Sequence, residues 1–259
     1  MWPYPHILAH RGGGTRAPEN TLAAMRCGLA YGFHAVEFDV MLSRDGVPIL
    51  MHDDQMGRTV AGCGHISQLT AAEVLALDAG AWFGPQFVGE RVPTFADVIA
   101  FCKAHGIWMN VEIKPASGFE RETGQAVAVL VQQMFAAEIA ARAHGADAAA
   151  LPLLSSFSYD ALQAAQRTAV EIPRGLLMDR VLPDWQSALQ ELDAVALHTN
   201  HQHLSPELTA QVKAAGYGLL CYTVNDVQRA TDILAWGVDA FCTDRIDLIA
   251  ADFREKHED

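Results

Sequence analysis

Two segments of this chain carry charge where a core strand would carry none. In Val36-Glu37-Phe38-Asp39-Val40 the apolar residues alternate with Glu37 and Asp39, so a strand here has one apolar and one acidic face. The segment from Trp108 to Lys114 repeats the pattern, with Met109, Val111 and Ile113 on one face and Asn110, Glu112 and Lys114 on the other. Where helices cover the apolar faces, the carboxylates turn inward, and inward carboxylates are costly without a positive partner. A single divalent cation would satisfy them. Glu37, Asp39 and Glu112 offer three hard oxygen ligands, which suits Mg²⁺ or Ca²⁺, leaves Mn²⁺ open and suits zinc poorly. Taken singly, a wet strand face accounts for the first segment and a Glu112–Lys114 ion pair for the second. Their recurrence on two strands favours one joint site.

His10-Arg11-Gly12-Gly13 directly follows a short apolar run, Ile7-Leu8-Ala9, and His52 ends a second extended run. An Arg fork suits a phosphate or a carboxylate, and glycines let backbone approach a ligand. Two imidazoles that titrate near neutral pH can serve as base and acid in one turnover. The plain alternatives are a turn with a surface Arg and a structural histidine. Asp53 either orients His52 or lies on the surface. His198-Thr199-Asn200-His201-Gln202-His203 reads as a solvated loop after a strand, with substrate contact as its alternative. Trp82, Phe83 and Phe87 read as packing, or as a cap over substrate, and Tyr222 as core or mouth lining.

The elements that must position these residues alternate between β-rich and helical runs. Strands are expected at Ile7–Ala9, Ala35–Leu42, Trp108–Lys114, Pro152–Ser156, Arg174–Met178, Ala194–Leu197, Tyr217–Val224 and Asp239–Cys242. Helices are expected at about Glu19–Tyr31, Phe95–His105, Gly118–His144, Tyr159–Thr168, Trp185–Leu192, Pro206–Ala215, Asp226–Trp236 and Asp247–Glu255. Val47–Met51 pairs back on the second strand through the Asp45-Gly46 turn. Residues 53–92 break the rhythm as a small insertion after the second strand, with one helical patch from Thr70 to Leu77. Eight strand–helix units in 259 residues fit a (β/α)8, or TIM, barrel forming one domain over 1–259. An open doubly wound sheet is the rival, but Gly12-Gly13-Gly14 lacks the dinucleotide spacing.

Composition narrows the function. Apolar residues make up 51 % and charged residues 19 %, which is globular, and the net charge of −13 disfavours nucleic acid and anionic membranes as partners. Five scattered cysteines form no zinc or disulfide pattern, which points to a reducing compartment; no leader segment or membrane-binding amphipathic stretch is expected. No motif bears on oligomeric state. Three chemistries stay open on the residues alone: phosphoryl transfer, metal-assisted proton abstraction with Lys114 as base, and capture of a phosphorylated ligand without turnover.

The ordered set His10-Arg11-Gly12, Pro18-Glu19-Asn20-Thr21, Glu37-Phe38-Asp39-Val40, Asp45-Gly46-Val47-Pro48, His52-Asp53, Glu112-Ile113-Lys114, Tyr222-Thr223-Val224-Asn225 and Thr243-Asp244 resembles the glycerophosphodiester phosphodiesterase family. The match runs nearly end to end, and the chain departs from the family in having Arg245-Ile246-Asp247 where a proline often follows. The resemblance implies a (β/α)8 barrel and hydrolysis of glycerophosphodiesters to sn-glycerol 3-phosphate and an alcohol. It implies metal ligation by Glu37, Asp39 and Glu112, acid–base work by His10 and His52, and phosphate contacts from Arg11 and Lys114. It further implies a cyclic phosphate formed by the neighbouring glycerol hydroxyl and then opened by water.

Overall fold

The computed structural model describes residues 2–142 and 148–253. Eight parallel strands close on themselves: β1 (Ile7–Ala9), β2 (Ala35–Leu42), β4 (Trp108–Ile113), β5 (Leu153–Ser156), β6 (Arg174–Met178), β7 (Ala196–Asn200), β8 (Gly218–Tyr222) and β9 (Ala240–Thr243). Closure runs through β1, which pairs with β9 over three residues and meets β2 at Ala9↔Val36. The ninth strand, β3 (Pro48–Leu50), lies antiparallel on the outer part of β2, as the Asp45-Gly46 turn requires. Gly46 takes a φ of 79° there, a conformation an Asp-Gly turn supplies cheaply.

The outer ring is α1 (Leu22–Ala30), α3 (Phe95–Ala104), α4 (Glu120–Met134), α6 (Tyr159–Thr168), α7 (Trp185–Glu191), α8 (Pro206–Ala214) and α9 (Val227–Ala235), with α2 (Ala71–Val74) in the insertion and α5 (Ala136–Arg142) after α4. Most helices start where a side chain caps them: Thr21, Thr94, Ser158, Ser205 and Asp226 each accept from a backbone N–H of the first turn. Strand faces sort as alternation dictates. Val36, Phe38, Val40, Val111 and Ile113 pack outward against the helices, and Phe38 meets Phe95 edge-on. Leu8, Ala35, Leu153, Ala196, Leu220 and Cys242 fill the lower barrel, which Trp2, Tyr4 and Trp108 plug from below. The insertion has its own small apolar cluster around Met41, Ile49, Ile66 and Val74.

Three expectations need correction. The helix expected over Gly118–His144 is two helices bent by 76° at Phe135, whose ring is buried in the core instead of continuing the helix surface; residues 143–144 lie outside the described residues. The strand expected to end at Leu197 continues to Asn200, so His198 and Thr199 lie within it. The closing helix expected at Asp247–Glu255 is a set of turns as far as Phe253, where Ile249 and Phe253 drop into the core; residues 254–255 lie outside the described residues. Among the described residues no single helix is long and apolar enough to cross a membrane.

Candidate active site

The C-terminal ends of β1, β2, β4, β7, β8 and β9 surround a cavity of about 210 Å³. Glu37 and Asp39 enter it from β2, and Glu112 from β4. The β2–β4 register sets Asp39 directly opposite Glu112 and Glu37 opposite Asn110. One oxygen of each of the three carboxylates lies within 4.8 Å of the others, and all three residues are buried. The inward turn expected from alternation is therefore present on both strands.

Three carboxylates buried this close together repel one another. Burial and the neighbouring Asp39 push Glu37 up to about 7, and the same two causes push Glu112 up to about 8. Asp39 moves the other way: burial opposes its charge, but Arg11, His52 and Lys114 hold it below the usual range. The set has a surplus of hard oxygen donors and a shortage of positive charge, so the residues present fit a divalent cation.

Neighbouring groups fix the carboxylates in place. Asn20 donates through Nδ2 to Asp39 Oδ2 at 2.9 Å, and its Oδ1 accepts from the Asp39 backbone N–H at 3.1 Å. The backbone N–H of Arg11 donates to Glu37 Oε2 at 3.1 Å. Asn20 sits in the Pro18–Thr21 stretch at a φ of 58°, and its role in holding Asp39 is invisible to periodicity arguments.

His10 lies just past β1, with Nε2 3.7 Å from Glu37 Oε2 and Nδ1 2.6 Å from Asp244 Oδ1. Burial lowers its pKa, but Asp244 and Glu37 outweigh that and raise it. His52 lies past β3, with Nδ1 2.5 Å from Asp53 Oδ1. Burial lowers its pKa, reinforced by Arg11 and Lys114. Both rings thus have Nδ1 tied to a carboxylate, which leaves Nε2 as the nitrogen free for chemistry. Lys114 Nζ lies 2.9 Å from Glu112 Oε1, 3.8 Å from Asp39 Oδ1 and 5.6 Å from the centre of the Phe157 ring. Arg11 donates from Nη1 to Glu19 at 2.8 Å and lies 3.5 Å from Asp39. All seven residues singled out in the sequence therefore converge, and His10, Arg11, Glu37, His52, Glu112 and Lys114 line the cavity itself.

Besides Asn20, two contributors escaped the main sequence reading. Asp244, quoted there only as part of a motif, is the partner of His10. His198 reads from the sequence as part of a solvated loop, with substrate contact as the alternative; it is fully buried and lines the cavity. The polar run His-Thr-Asn imitates a loop, whereas His198 lies within β7 on its inward face.

Known proteins place this geometry in context. Residues 10–248 match the model of the Glycerophosphoryl diester phosphodiesterase family. The chain is 31% identical over 242 residues to the glycerophosphodiester phosphodiesterase of Caldanaerobacter subterraneus subsp. tengcongensis, covering 92% of this chain and 93% of that one. Among solved structures it is similar to an Oleispira antarctica phosphodiesterase in complex with the product sn-glycerol-3-phosphate, with a TM-score of 0.86, 35% identity and coverage of 99% of this chain and 98% of the other. It is also similar to the glycerophosphodiester phosphodiesterase of Agrobacterium tumefaciens, with a TM-score of 0.78, 28% identity and coverage of 95% and 99%.

Proposed function

The chain belongs to the glycerophosphodiester phosphodiesterase family and is an enzyme of that family, and from that premise we propose that it hydrolyses glycerophosphodiesters to sn-glycerol 3-phosphate and an alcohol in a metal-dependent reaction. The observation that carries this reading is the buried Glu37–Asp39–Glu112 cluster flanked by two carboxylate-anchored histidines and two cations. The three carboxylates would hold one divalent cation, Mg²⁺ or Ca²⁺ with Mn²⁺ as a third choice. A bound cation supplies Lewis acidity toward the phosphoryl group and lowers the pKa of a ligated hydroxyl.

The chain's own residues supply the rest. Arg11 and Lys114 face the charge that develops on the phosphoryl oxygens. One histidine takes the proton of the glycerol hydroxyl next to the phosphate through Nε2, and the other gives a proton to the departing alcohol. The cyclic phosphate that results is opened by water with the two roles exchanged. Because the net charge of −13 repels an anionic substrate at long range, attraction has to come from this local pair of cations. Residues 53–92 act as an insertion within one catalytic domain. The five cysteines are all free, which supports a cytoplasmic setting.

The test is release of glycerol 3-phosphate from glycerophosphocholine and glycerophosphoethanolamine, read by a coupled dehydrogenase, first in EDTA and then with each cation restored. Cation-restored release is expected. Release that persists undiminished in excess EDTA would remove the metal from the scheme, and no release with any cation would remove the activity.

A further inference from the structure

Arg58 belongs to the insertion, and no step of the reaction described above uses it. It nonetheless stands between two carboxylates that each hold a member of the active site. Its Nη1 and Nη2 donate to the two carboxylate oxygens of Glu19, each at 2.7 Å, and its Nε donates to Asp53 Oδ2. Glu19 Oε1 also accepts from Arg11 Nη1 at 2.8 Å, and Asp53 Oδ1 lies 2.5 Å from His52 Nδ1. One guanidinium therefore ties the histidine after β3 to the arginine after β1.

The chain around Arg58 holds it in place. Gln55 bridges to His65, the Met56 backbone N–H donates to the Gly64 carbonyl at 3.0 Å, and that of Gly57 donates to the Val60 carbonyl at 2.9 Å. The next two residues, Thr59 and Val60, are buried, and Val60 belongs to the insertion's own apolar cluster. The ion pairs themselves add little to folding, because the Arg58 side chain is 44 % exposed. What a rigid planar fork supplies is geometry, since its donors serve two carboxylates at once. Burial opposes the charge of Asp53, but hydrogen bonds from Arg58 and His52 hold its pKa down at about 2. An ionised Asp53 only accepts, so the proton of the neutral His52 ring sits on Nδ1. On the other branch, Glu19 is nearly buried, and without Arg58 its charge would fall on Arg11 alone. That would draw Arg11 away from the phosphate.

We propose that Arg58 is a positioning residue of the hydrolytic site: through Asp53 it aims His52, through Glu19 it sets Arg11, and by this clamp the insertion contributes to turnover. The inference rests on the activity proposed above. Small displacements of groups that touch the substrate are costly to rate, so a residue that touches only their partners can matter as much as they do. The two branches act on different quantities. His52 serves proton transfer, which kcat reads, whereas Arg11 serves phosphate contact, which KM reads.

The experiment compares wild type with Arg58→Ala, Asp53→Asn and Glu19→Gln in steady-state kinetics on glycerophosphocholine with a divalent cation present. Asp53→Asn is expected to lower kcat, Glu19→Gln to raise KM, and Arg58→Ala to do both, each by at least about 10-fold, the scale of a displaced reacting group. Adding Arg58→Ala to Asp53→Asn should lower kcat by no more than about 2-fold further, because residues that act through one contact do not add. Arg58→Lys keeps the charge and cannot span both carboxylates, so it is expected to melt with the wild type and still lose at least about 10-fold in kcat/KM. The ring Nδ1 proton resonances of the histidines give a readout independent of turnover. That of His52 should disappear into solvent exchange in Arg58→Ala, while that of His10, held by Asp244, stays. Kinetic constants of Arg58→Ala within about 2-fold of wild type, or losses that multiply in full in the double variant, would overturn the proposal. So would loss of both resonances together with a fall in melting temperature. A wild type that cleaves no diester would end the hydrolase reading; selective loss of the His52 resonance would then still sustain the clamp, and its retention would overturn it.

Discussion

Asp244 Oδ1 stands 2.6 Å from His10 Nδ1, although 234 positions separate the two residues. Asn225 donates to Asp244 Oδ2 at 2.9 Å and accepts from the Asp244 backbone N–H at 2.8 Å, so the carboxylate is fixed before it meets the ring. The other histidine is anchored by a different chain of contacts. Asp53 holds His52, Arg58 holds Asp53, and Arg58 reaches on to Glu19, which holds Arg11. One imidazole is thus backed by a carboxylate resting on a neutral amide, the other by a carboxylate resting on a cation.

Asp244→Asn keeps the volume and removes the charge behind His10. We expect kcat to fall roughly 10²-fold, at the lower end of what a positioned acid or base contributes, with KM little changed. Steady-state kinetics on glycerophosphocholine checks this. A variant whose KM rises while kcat holds would place Asp244 in substrate binding instead.

The carboxylate cluster makes the cation-free protein sensitive to alkali. Glu37 at about 7 and Glu112 at about 8 lie above their unfolded values, so above neutrality the folded state binds more protons than the unfolded chain. Stability then falls as pH rises through these values. His198, kept neutral by burial, acts in the opposite sense only below its ordinary value of 6.5, outside this window. In EDTA the melting temperature is expected to be lower at about pH 8.5 than at about pH 7. A divalent cation should raise it more at the higher pH, because ligation releases protons. A cation-free melting temperature that is flat or rising across this interval would contradict the arrangement.

Glu112→Gln separates stability from activity. Above about pH 8, where Glu112 is ionised, it removes one of three mutually repelling buried charges, so there the cation-free variant should melt above the cation-free wild type. The same change should erase the thermal response to divalent cations and the turnover that depends on them. Differential scanning fluorimetry with and without Mg²⁺ or Ca²⁺ reads both effects.

Gly14→Ala tests how the loop after β1 is fitted to the loop after β9. A Cβ at Gly14 would stand 2.1 Å from the carbonyl oxygen of Asp244, and the residue sits at a φ of 51°. The same carbonyl accepts from the Thr15 backbone N–H at 2.8 Å. Strain and clash together should lower the denaturation midpoint by an amount equivalent to more than about 1 kcal/mol. Turnover should fall as well, since the displaced residue is the partner of His10. A variant as stable and as active as wild type would show that the two loops are loosely joined.

The alternation of apolar and charged residues on two strands made the carboxylate cluster legible, because a two-residue period needs no tertiary information to read. Asp45-Gly46 made the hairpin arm legible for the same local reason. What escaped was non-local or ambiguous in one dimension. His198 looked like loop because polar strand ends in a barrel face inward, toward a site that other strands complete. The break at Phe135 depends on where the core lies, and the helical pattern of 118–144 runs through it without interruption. The pairing of His10 with Asp244 depends on closure of the sheet, which no local signal reports.

That closure has a consequence for the making of the protein. Strand β1 pairs with β9 at Ile7↔Phe241, Leu8↔Cys242 and Ala9↔Thr243, and with β2 only at Ala9↔Val36. On the ribosome the first strand emerges long before its main partner, and it waits through the synthesis of seven others. The nascent chain therefore holds all three carboxylates and both histidines well before it holds the residue that aims His10. The cavity's acidic cluster is thus on the chain long before the closing strand brings Asp244 to His10.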